Sequence, residues 1–339
     1  MASIRDRAAE HGTGPAWDPP QPRNVSVRWS GSRAVSKPPS EGLQRLLVLP
    51  DPQVHYRLVA TSKRSWELDP FHDLRAMATA VAVARYVRPD EIVMVGDGMD
   101  LPQFGKYVQE SAAAEGFNAA LEDMHAWLVA LAELAHVSYL EGNHDQRILT
   151  WALTNARAAW GIKRAVDTHD SWPVMSVPFL LSLDELGVDY VYGYPTNRVD
   201  YGRNLRAVHG AKIKPEGIHA DEGSSRSVVH GHLHRVAYKH FRHQGVDGPV
   251  ESWVGTPGCL CRIDSAVPGV ASAQDPRTRR PTDKAQNWHQ GVAVVTYDPD
   301  GQMVPIWEHI PITDGVARWR DSVVAGDVVI EPDRSPDFS

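Results

Sequence analysis

Cysteine and long apolar runs are the features that this 339-residue chain most clearly lacks. It has two cysteines, Cys259 and Cys261, which are too few for a disulfide-stapled secreted fold, so we expect a reducing, cytoplasmic setting. No run of about 18 apolar residues is present, so no membrane-spanning helix is predicted. Residues 1–14 also lack the apolar centre of a secretory signal. We therefore expect a globular chain that has no membrane partner.

The two cysteines do not favour a metal site of their own. They lie two positions apart, so on a strand both thiols would point to one face. A structural zinc ion usually takes four ligands, however, and the chain has no second thiol pair.

A strong positive charge is missing as well. The formal net charge is −7, and an excess of Arg and Lys is confined to the first 45 residues. This balance argues against a large basic surface that would grip duplex nucleic acid. It does not exclude a phosphate-containing substrate, because bound metal ions are the largest local charges in any site that holds them.

Composition divides the chain into a flexible N-terminal tail (1–42), a domain (43–312) and a C-terminal tail (313–339). The first range is rich in Pro, Gly, Ser and Arg and has no sustained periodicity. The last range is charged and contains Pro.

Strands and helices alternate in the first half of the domain. Apolar runs at 46–49, 92–95 and 137–140 predict buried strands, and helical spacing of apolar residues appears near 70–87 and 111–135. This alternation predicts an α/β fold with parallel strands. Strands in the second half are predicted at 188–192, 205–209, 226–230, 235–242, 250–255, 292–297 and 303–310. The last two flank a turn at residues 298–301, whose sequence is Asp-Pro-Asp-Gly.

Histidine is abundant, with 16 residues, and metal-capable side chains follow several predicted strands. These groups are Asp51-Pro52-Gln53, Gly96-Asp97-Gly98-Met99-Asp100, Gly142-Asn143-His144-Asp145, His209-Gly210 and Gly231-His232-Leu233-His234. The carboxyl ends of adjacent strands in open α/β sheets meet at one crevice, and Asp, Asn, Gln and His all ligate metals. The sequence therefore predicts one metal site at this edge.

This ordered set resembles the calcineurin-like metallophosphoesterase family, whose pattern is DxH, GDxxD, GNH[DE], a lone His and GHxH. The resemblance covers residues 45–260. It implies a four-layer αββα sandwich of two mixed β-sheets flanked by helices, which is the metallo-dependent phosphatase fold.

The resemblance also implies a role for each matching residue. A first metal would be held by Asp51, Gln53, Asp97 and His234, and a second by Asp97, Asn143, His209 and His232. His144 would donate a proton to the leaving group, and Asp100 would orient His144. A hydroxide bridging the two metals would attack the phosphate ester. Ligands without thiolate suit manganese first, with iron or zinc as alternatives.

Three positions leave alternatives open. The family has His where this chain has Gln53, so either Gln53, His55 or neither completes the first site. Arg147 is a candidate for clamping a phosphate, and a solvated helix-face arginine is an equal alternative. Asp145 is expected to cap a helix rather than to take part in catalysis.

The implied function is a metal-dependent phosphoric ester hydrolase, with a nucleic-acid or nucleotide phosphodiester as the favoured substrate. A phosphomonoesterase or phosphoprotein phosphatase is the alternative, and Leu101-Pro102, where the protein phosphatases have Arg-Gly, weakens the latter. A third hypothesis is a non-catalytic scaffold with the same fold, and the near-complete ligand set disfavours it. The sequence leaves the oligomeric state open.

Overall fold

The computed structural model describes residues 34–36, 42–62, 65–105, 116–167, 171–222, 225–245, 248–264, 287–326 and 328–330. In chain order the strands are β1 (Ala34–Ser36), β2 (Gln44–Leu49), β3 (Tyr56–Ser62), β4 (Ser65–Pro70), β5 (Glu91–Met94), β6 (His136–Leu140), β7 (Asp189–Val191), β8 (Arg198–Tyr201), β9 (Leu205–Val208), β10 (Ser227–His230), β11 (Val236–Gly245), β12 (Gly248–Pro257), β13 (Gly291–Tyr297), β14 (Ile306–Thr313), β15 (Val316–Trp319), β16 (Ser322–Ala325) and β17 (Val328–Ile330).

The described helices are fewer than the strands. They are α1 (Leu74–Val87), α2 (Phe117–Ala132), α3 (Gln146–Asn155), α4 (Arg157–Trp160), α5 (Val177–Leu180), α6 (Leu183–Leu186) and α7 (Pro215–Asp221), and a 3₁₀ turn spans Pro102–Phe104. None of the described helices is long and apolar enough to cross a membrane.

The strands form two large mixed sheets. One sheet has the order β17-β16-β15-β14-β13-β2-β5-β6-β7, and the other has the order β1-β8-β9-β10-β12-β11. Strands β2, β5, β6 and β7 run parallel to one another, as do β9, β10 and β12. The parallel cores place the carboxyl ends of these strands at one edge of the molecule, where open sheets hold their sites.

Alternate side chains of the central strands bury on opposite faces, so three apolar layers separate four layers of structure. Between the sheets, Leu46 and Val93 of one sheet pack with Tyr201 and Trp253 of the other. The outer face of the nine-stranded sheet packs on α1 and α2, and α7 covers the outer face of the six-stranded sheet through Ile218. The predicted four-layer sandwich of two mixed sheets is confirmed.

Helix α1 shows how the sequence sets an element that borders the site. The Asp73 side chain accepts hydrogen bonds from the backbone N–H groups of Arg75 and Ala76, both at 3.0 Å, and so caps the helix. Arg88 ends the helix in the left-handed conformation at φ 50°. The sequence pattern placed this helix near 70–87, and its capping residue explains the later start.

The predicted tail boundaries need correction. Ala34–Ser36, inside the range assigned to the N-terminal tail, pairs in parallel with β8. The range 313–339 was predicted as a loose tail, but β15, β16 and β17 extend the nine-stranded sheet within it. Ala317, Trp319 and Val324 are buried there in the same core as α1, a non-local contact that outweighs the charged composition. Residues 331–339 lie outside the described part of the chain.

Most predicted strands of the second half are present within about two residues, and the turn at 298–301 forms as expected. The Asp298 carboxylate accepts from the backbone N–H groups of Asp300 (3.0 Å) and Gln302 (2.9 Å), and Gly301 takes φ 74°. Helix α2 is shorter than the predicted 111–135, of which 111–115 lie outside the described residues. The β3–β4 hairpin and β8 were not predicted.

Candidate metal centre

Five loops at the carboxyl ends of β2, β5, β6, β9 and β10 meet at one point, and their backbone is strained there. Positive φ angles occur at Asp51 (37°), Gln53 (46°), Asp97 (50°), His232 (69°) and His234 (53°). Such conformations cost of order 1–3 kcal/mol each and cluster at functional sites, where the surrounding structure holds them. Here the Gln53 N–H donates to the Asp97 carbonyl at 2.9 Å, which ties the first loop to the second.

Two glycines allow the loops to approach one another. A Cβ at Gly142 would lie 2.1 Å from Oδ1 of Asp97, and a Cβ at Gly231 would lie 2.5 Å from Oδ2 of Asp51. Any side chain at either position would therefore displace a carboxylate of the site. This is the physical reason for glycine before Asn143 and before His232.

The first group of potential ligands consists of Asp51, Asp97 and His234, whose ligand atoms lie within 4.8 Å of one another. All three residues are buried. Oδ1 of Asp51 lies 3.6 Å from Nε2 of His234. The same Asp51 carboxylate accepts from the backbone N–H of His232 at 3.0 Å, which fixes its orientation.

The second group consists of Asp97, His209 and His232, again within 4.8 Å. Oδ1 of Asn143 lies 3.0 Å from Nε2 of His209 and 2.9 Å from Nδ1 of His232. Asp97 belongs to both groups. The residues that the motifs predicted as ligands are thus brought together in two groups that share one carboxylate.

The tautomer of His209 is set by the backbone. Its Nδ1 lies 2.7 Å from the carbonyl oxygen of Val95 and donates a hydrogen bond to it. Nε2 then points toward Oδ2 of Asp97 at 3.4 Å. When a backbone carbonyl holds Nδ1 of a histidine in this way, Nε2 is the nitrogen that can ligate a metal ion.

His144 stands beside these groups and outside them. Its Nδ1 hydrogen-bonds Oδ1 of the buried Asp100, and its Nε2 lies 3.8 Å from Oδ2 of Asp97. Its own backbone N–H donates to Oδ1 of Asp97 at 2.7 Å. Burial acts to lower the pKa of His144, but the carboxylates of Asp97 and Asp100 outweigh it and raise the pKa. The His144–Asp100 contact is the one that the resemblance implied.

Arg147 lies against the same pair rather than on a solvated helix face. Its Nη1 donates to the carbonyl (2.6 Å) and to Oδ1 (3.1 Å) of Asp100, and its Nη2 lies 3.2 Å from Nε2 of His144. The side chain remains 27% exposed, so its guanidinium borders both the site and the solvent.

The helix-capping role expected for Asp145 is wrong. Asp145 precedes α3, but its side chain caps nothing there. It accepts instead from the N–H groups of Gly142 (2.9 Å) and Met99 (3.0 Å) and from the hydroxyl of Tyr139 (2.7 Å). One buried carboxylate therefore joins the loop that carries Asp97 to the loop that carries Asn143, a contact between distant segments that local sequence signals do not reveal.

The loop after β2 directs the side chains of Gln53 and His55 to different surroundings. Nε2 of Gln53 lies 3.2 Å from Nε2 of His234, inside the first group. The His55 ring packs instead on Phe71, at 5.5 Å between centroids. The structure thus brings Gln53, and not His55, to the predicted first site.

Buried negative charge and an unsatisfied oxygen make this a site that fits metal cations. Oε1 of Gln53 is buried and has no hydrogen-bond partner among the described residues. Burial acts to lower the pKa of His209, but Asp97 and Asp51 outweigh it and raise the pKa to about 9. The carboxylates thus draw positive charge into a buried position, and the oxygen and nitrogen donors suit first-row divalent metals.

The two cysteines lie next to His234. Both are buried and free, and with His234 they form a third group within 4.8 Å. Burial raises the pKa of Cys261 well above its usual value, as is typical of a thiol in a buried position. The Trp288 ring packs edge-on against His234 at 4.3 Å and also packs against the two cysteines, a neighbour that no motif marked.

No family model matches the chain, and no curated protein matches it. It is similar to solved structures that include Yfce, a phosphoesterase from E. coli (13% identity, TM-score 0.33, 77% of this chain and 98% of that chain). Others are a dimetal phosphatase from Danio rerio (13%, 0.34, 78% and 98%) and purple acid phosphatase PPD1 from yellow lupin (11%, 0.38, 83% and 54%). These names belong to the class that the motifs predicted, but all three TM-scores are below 0.5. The case for function therefore rests on the residues of the site.

Proposed function

We propose that this chain hydrolyses phosphoric esters with two metal ions. Asp51, Gln53, Asp97 and His234 would hold the first ion, and Asp97, Asn143, His209 and His232 the second. The single observation that carries the proposal is the meeting of two ligand groups on the shared carboxylate of Asp97, with His144 next to both.

Two cations held in this way would supply neutralisation of the phosphate charge and activation of water. The remaining roles belong to side chains of the chain itself. Asn143 places an amide oxygen between the two histidine rings of the second group. Asp97 keeps its orientation because its Oδ1 accepts the backbone N–H of His144.

His144 is proposed as the proton donor to the leaving oxygen. Its Nδ1 is held by Asp100, so Nε2 is the atom that faces the site. A positioned general acid typically contributes about 10²–10⁴-fold, and most when the leaving group is poor. Arg147, next to Nε2, is proposed to contact a phosphate oxygen, because a guanidinium pairs well with phosphate.

Within this class we favour a phosphodiester over a monoester or a phosphoprotein, and Mn²⁺ over iron or zinc. The acidic chain favours a small diester over a long duplex, because duplex binding needs many Lys and Arg contacts to phosphates.

The test is metal content and turnover measured on the same preparations. Purified protein loaded with Mn²⁺ should hold two metals per chain by mass spectrometry and should hydrolyse bis(4-nitrophenyl) phosphate. Mn²⁺ uptake of two ions without hydrolysis of either this diester or 4-nitrophenyl phosphate would show a binding protein rather than a hydrolase. Failure to bind two ions would reject the metal centre itself.

A further inference from the structure

A cleft of about 710 Å³ opens beside the candidate metal centre. Trp288 lines it and also packs on His234. None of the proposed metal ligands is among the described residues that line it. The cleft is thus a separate space that meets the site at one aromatic side chain.

Strand directions place the cleft and the site at the same end of the molecule. Strand β13 runs antiparallel to β2, so Gly291 at its start lies near the end of β2, just before Asp51. Strand β14 runs antiparallel to β13 and places Pro311, which lines the cleft, beside Gly291. The start of α1, at Leu74, lines the cleft from the other side.

Apolar side chains are exposed around this cleft. Leu74 is 50% exposed and Ile263 is 42% exposed, and both lie on its wall with Trp288 and Pro311. Grouped, exposed apolar side chains around a concavity are typical of a binding site for an apolar group.

The two arginines of the cleft are already engaged in hydrogen bonds. Arg262 donates to Asp264 at 2.5 Å and to Asp69 at 2.6 Å, and the Arg75 guanidinium hydrogen-bonds the carbonyl of Asp314. The lining contains these two arginines and three aspartates, Asp73, Asp264 and Asp314. The described part of the lining, which also includes His72, His289 and His309, has no arginine left free to attract a second phosphate. Its exposed Leu74 and Ile263 favour an uncharged group.

The side of the site on which the cleft lies indicates which part of a substrate would enter it. His144, the proposed proton donor, contacts Asp97, whereas the cleft is reached past His234, whose neighbours are Asp51 and Gln53. The leaving oxygen belongs next to the proton donor. The group near His234 is then the substituent that stays on phosphorus.

We infer that this cleft binds the retained organic substituent of a phosphodiester, and that this substituent is an uncharged aromatic or apolar group. The inference rests on the proposed phosphoesterase function and deepens it. It favours a diester over a monoester, because a monoester has no retained organic group.

Two diesters with the same leaving group test the inference. Bis(4-nitrophenyl) phosphate retains an aromatic ring, and methyl 4-nitrophenyl phosphate retains a methyl group, while both release nitrophenolate. The variant is Leu74→Ser with Ile263→Ser. The matched control is Ile306→Ser, a side chain that is 51% exposed at the opposite end of β14. All three positions are exposed, so each variant should fold.

We expect the double variant to lose about tenfold in kcat/KM on the bis ester and less than twofold on the methyl ester, with Ile306→Ser unchanged on both. Calorimetry on Mn²⁺-loaded protein gives a second readout, because phenylphosphonate and methylphosphonate cannot be hydrolysed. Wild type should bind phenylphosphonate more tightly, and the double variant should lose that preference.

Equal effects of the double variant on both esters, with normal wild-type turnover, would overturn the inference and leave the proposed function standing. No turnover of either diester or of 4-nitrophenyl phosphate by wild type would reject the proposed function instead. The phosphonates would then decide for the cleft alone, and equal wild-type affinity for the two would overturn it.

Discussion

Replacing Gln53 by leucine is expected to raise the stability of the metal-free protein and to reduce the stabilisation that bound metal adds. The side chain is 2% exposed and its Oε1 has no described hydrogen-bond partner. A buried acceptor without a partner costs about 1–3 kcal/mol, whereas the 3.2 Å contact of Nε2 with His234 is worth about 0.5–1.5 kcal/mol. Leucine removes both, and Nε2 of His234 keeps Oδ1 of Asp51 as a neighbour at 3.6 Å, so the metal-free protein should gain about 1 kcal/mol in its free energy of unfolding.

The stabilisation that metal adds should fall because Gln53 is proposed as a ligand. A tenfold larger dissociation constant corresponds to a loss of about 1.4 kcal/mol of binding free energy. At a fixed Mn²⁺ concentration well above that constant, the stabilisation by metal falls by the same amount. The assay is urea unfolding followed by tryptophan fluorescence, once after chelation and once with Mn²⁺.

Gln103→Leu is the matched control for this experiment. Both side-chain polar atoms of Gln103 are also buried without a partner among the described residues, but Gln103 is no proposed ligand. Its replacement should raise the free energy of unfolding equally with and without Mn²⁺. If Gln53→Leu behaves like the control, or if it destabilises the metal-free protein, Gln53 does not serve as the ligand with a vacant oxygen.

Three further variants probe the rest of the site. Asp97→Asn removes the shared carboxylate and should lower the metal content below two per chain and reduce turnover by more than about 100-fold; two tightly held metals and near-normal turnover would contradict the assignment. His144→Gln should keep both metals and lose at least about tenfold more rate on alkyl esters than on nitrophenyl esters, and equal losses would argue against proton donation. The Met99 N–H donates to Oδ1 of Asp145 and the Gly142 N–H donates to Oδ2, so the amide NH₂ of Asp145→Asn faces one of these donors in either orientation, and urea unfolding of the metal-free protein should show a loss of about 2–4 kcal/mol. Wild-type stability of that variant would mean that Asp145 does not join the two loops.

The residues of the candidate metal centre could be found from the sequence because their signals are local. Each follows a short apolar strand, and glycines mark the sharp turns. Parallel strands then bring these turns to one edge without any further information from the sequence. This is why Oδ1 of Asn143 lies 2.9 Å from Nδ1 of His232, although the two residues are 89 positions apart in the chain.

The cleft and the last strands could not be found in this way. Trp288 is linked to the site by its contact with His234. Trp319 is linked to the core by its contact with Tyr86, at 5.8 Å between ring centroids. Both contacts join segments that are distant in the chain. Strand formation depends on such non-local packing more than helix formation does, so the charged composition after residue 312 was a misleading guide.

Strained backbone and buried charge coincide at the centre itself, and this coincidence indicates function. Asp51, Asp97 and His234 adopt positive φ angles, which Gly adopts at the least cost and which Asp and His adopt more readily than most other residues. Ligating side chains occupy these positions although the conformation costs free energy and the two carboxylates leave negative charge buried. Neither cost is repaid by apolar packing, because these side chains face one another. A stable chain would keep such an arrangement if cations neutralise the carboxylates, which is the condition that the proposed function requires.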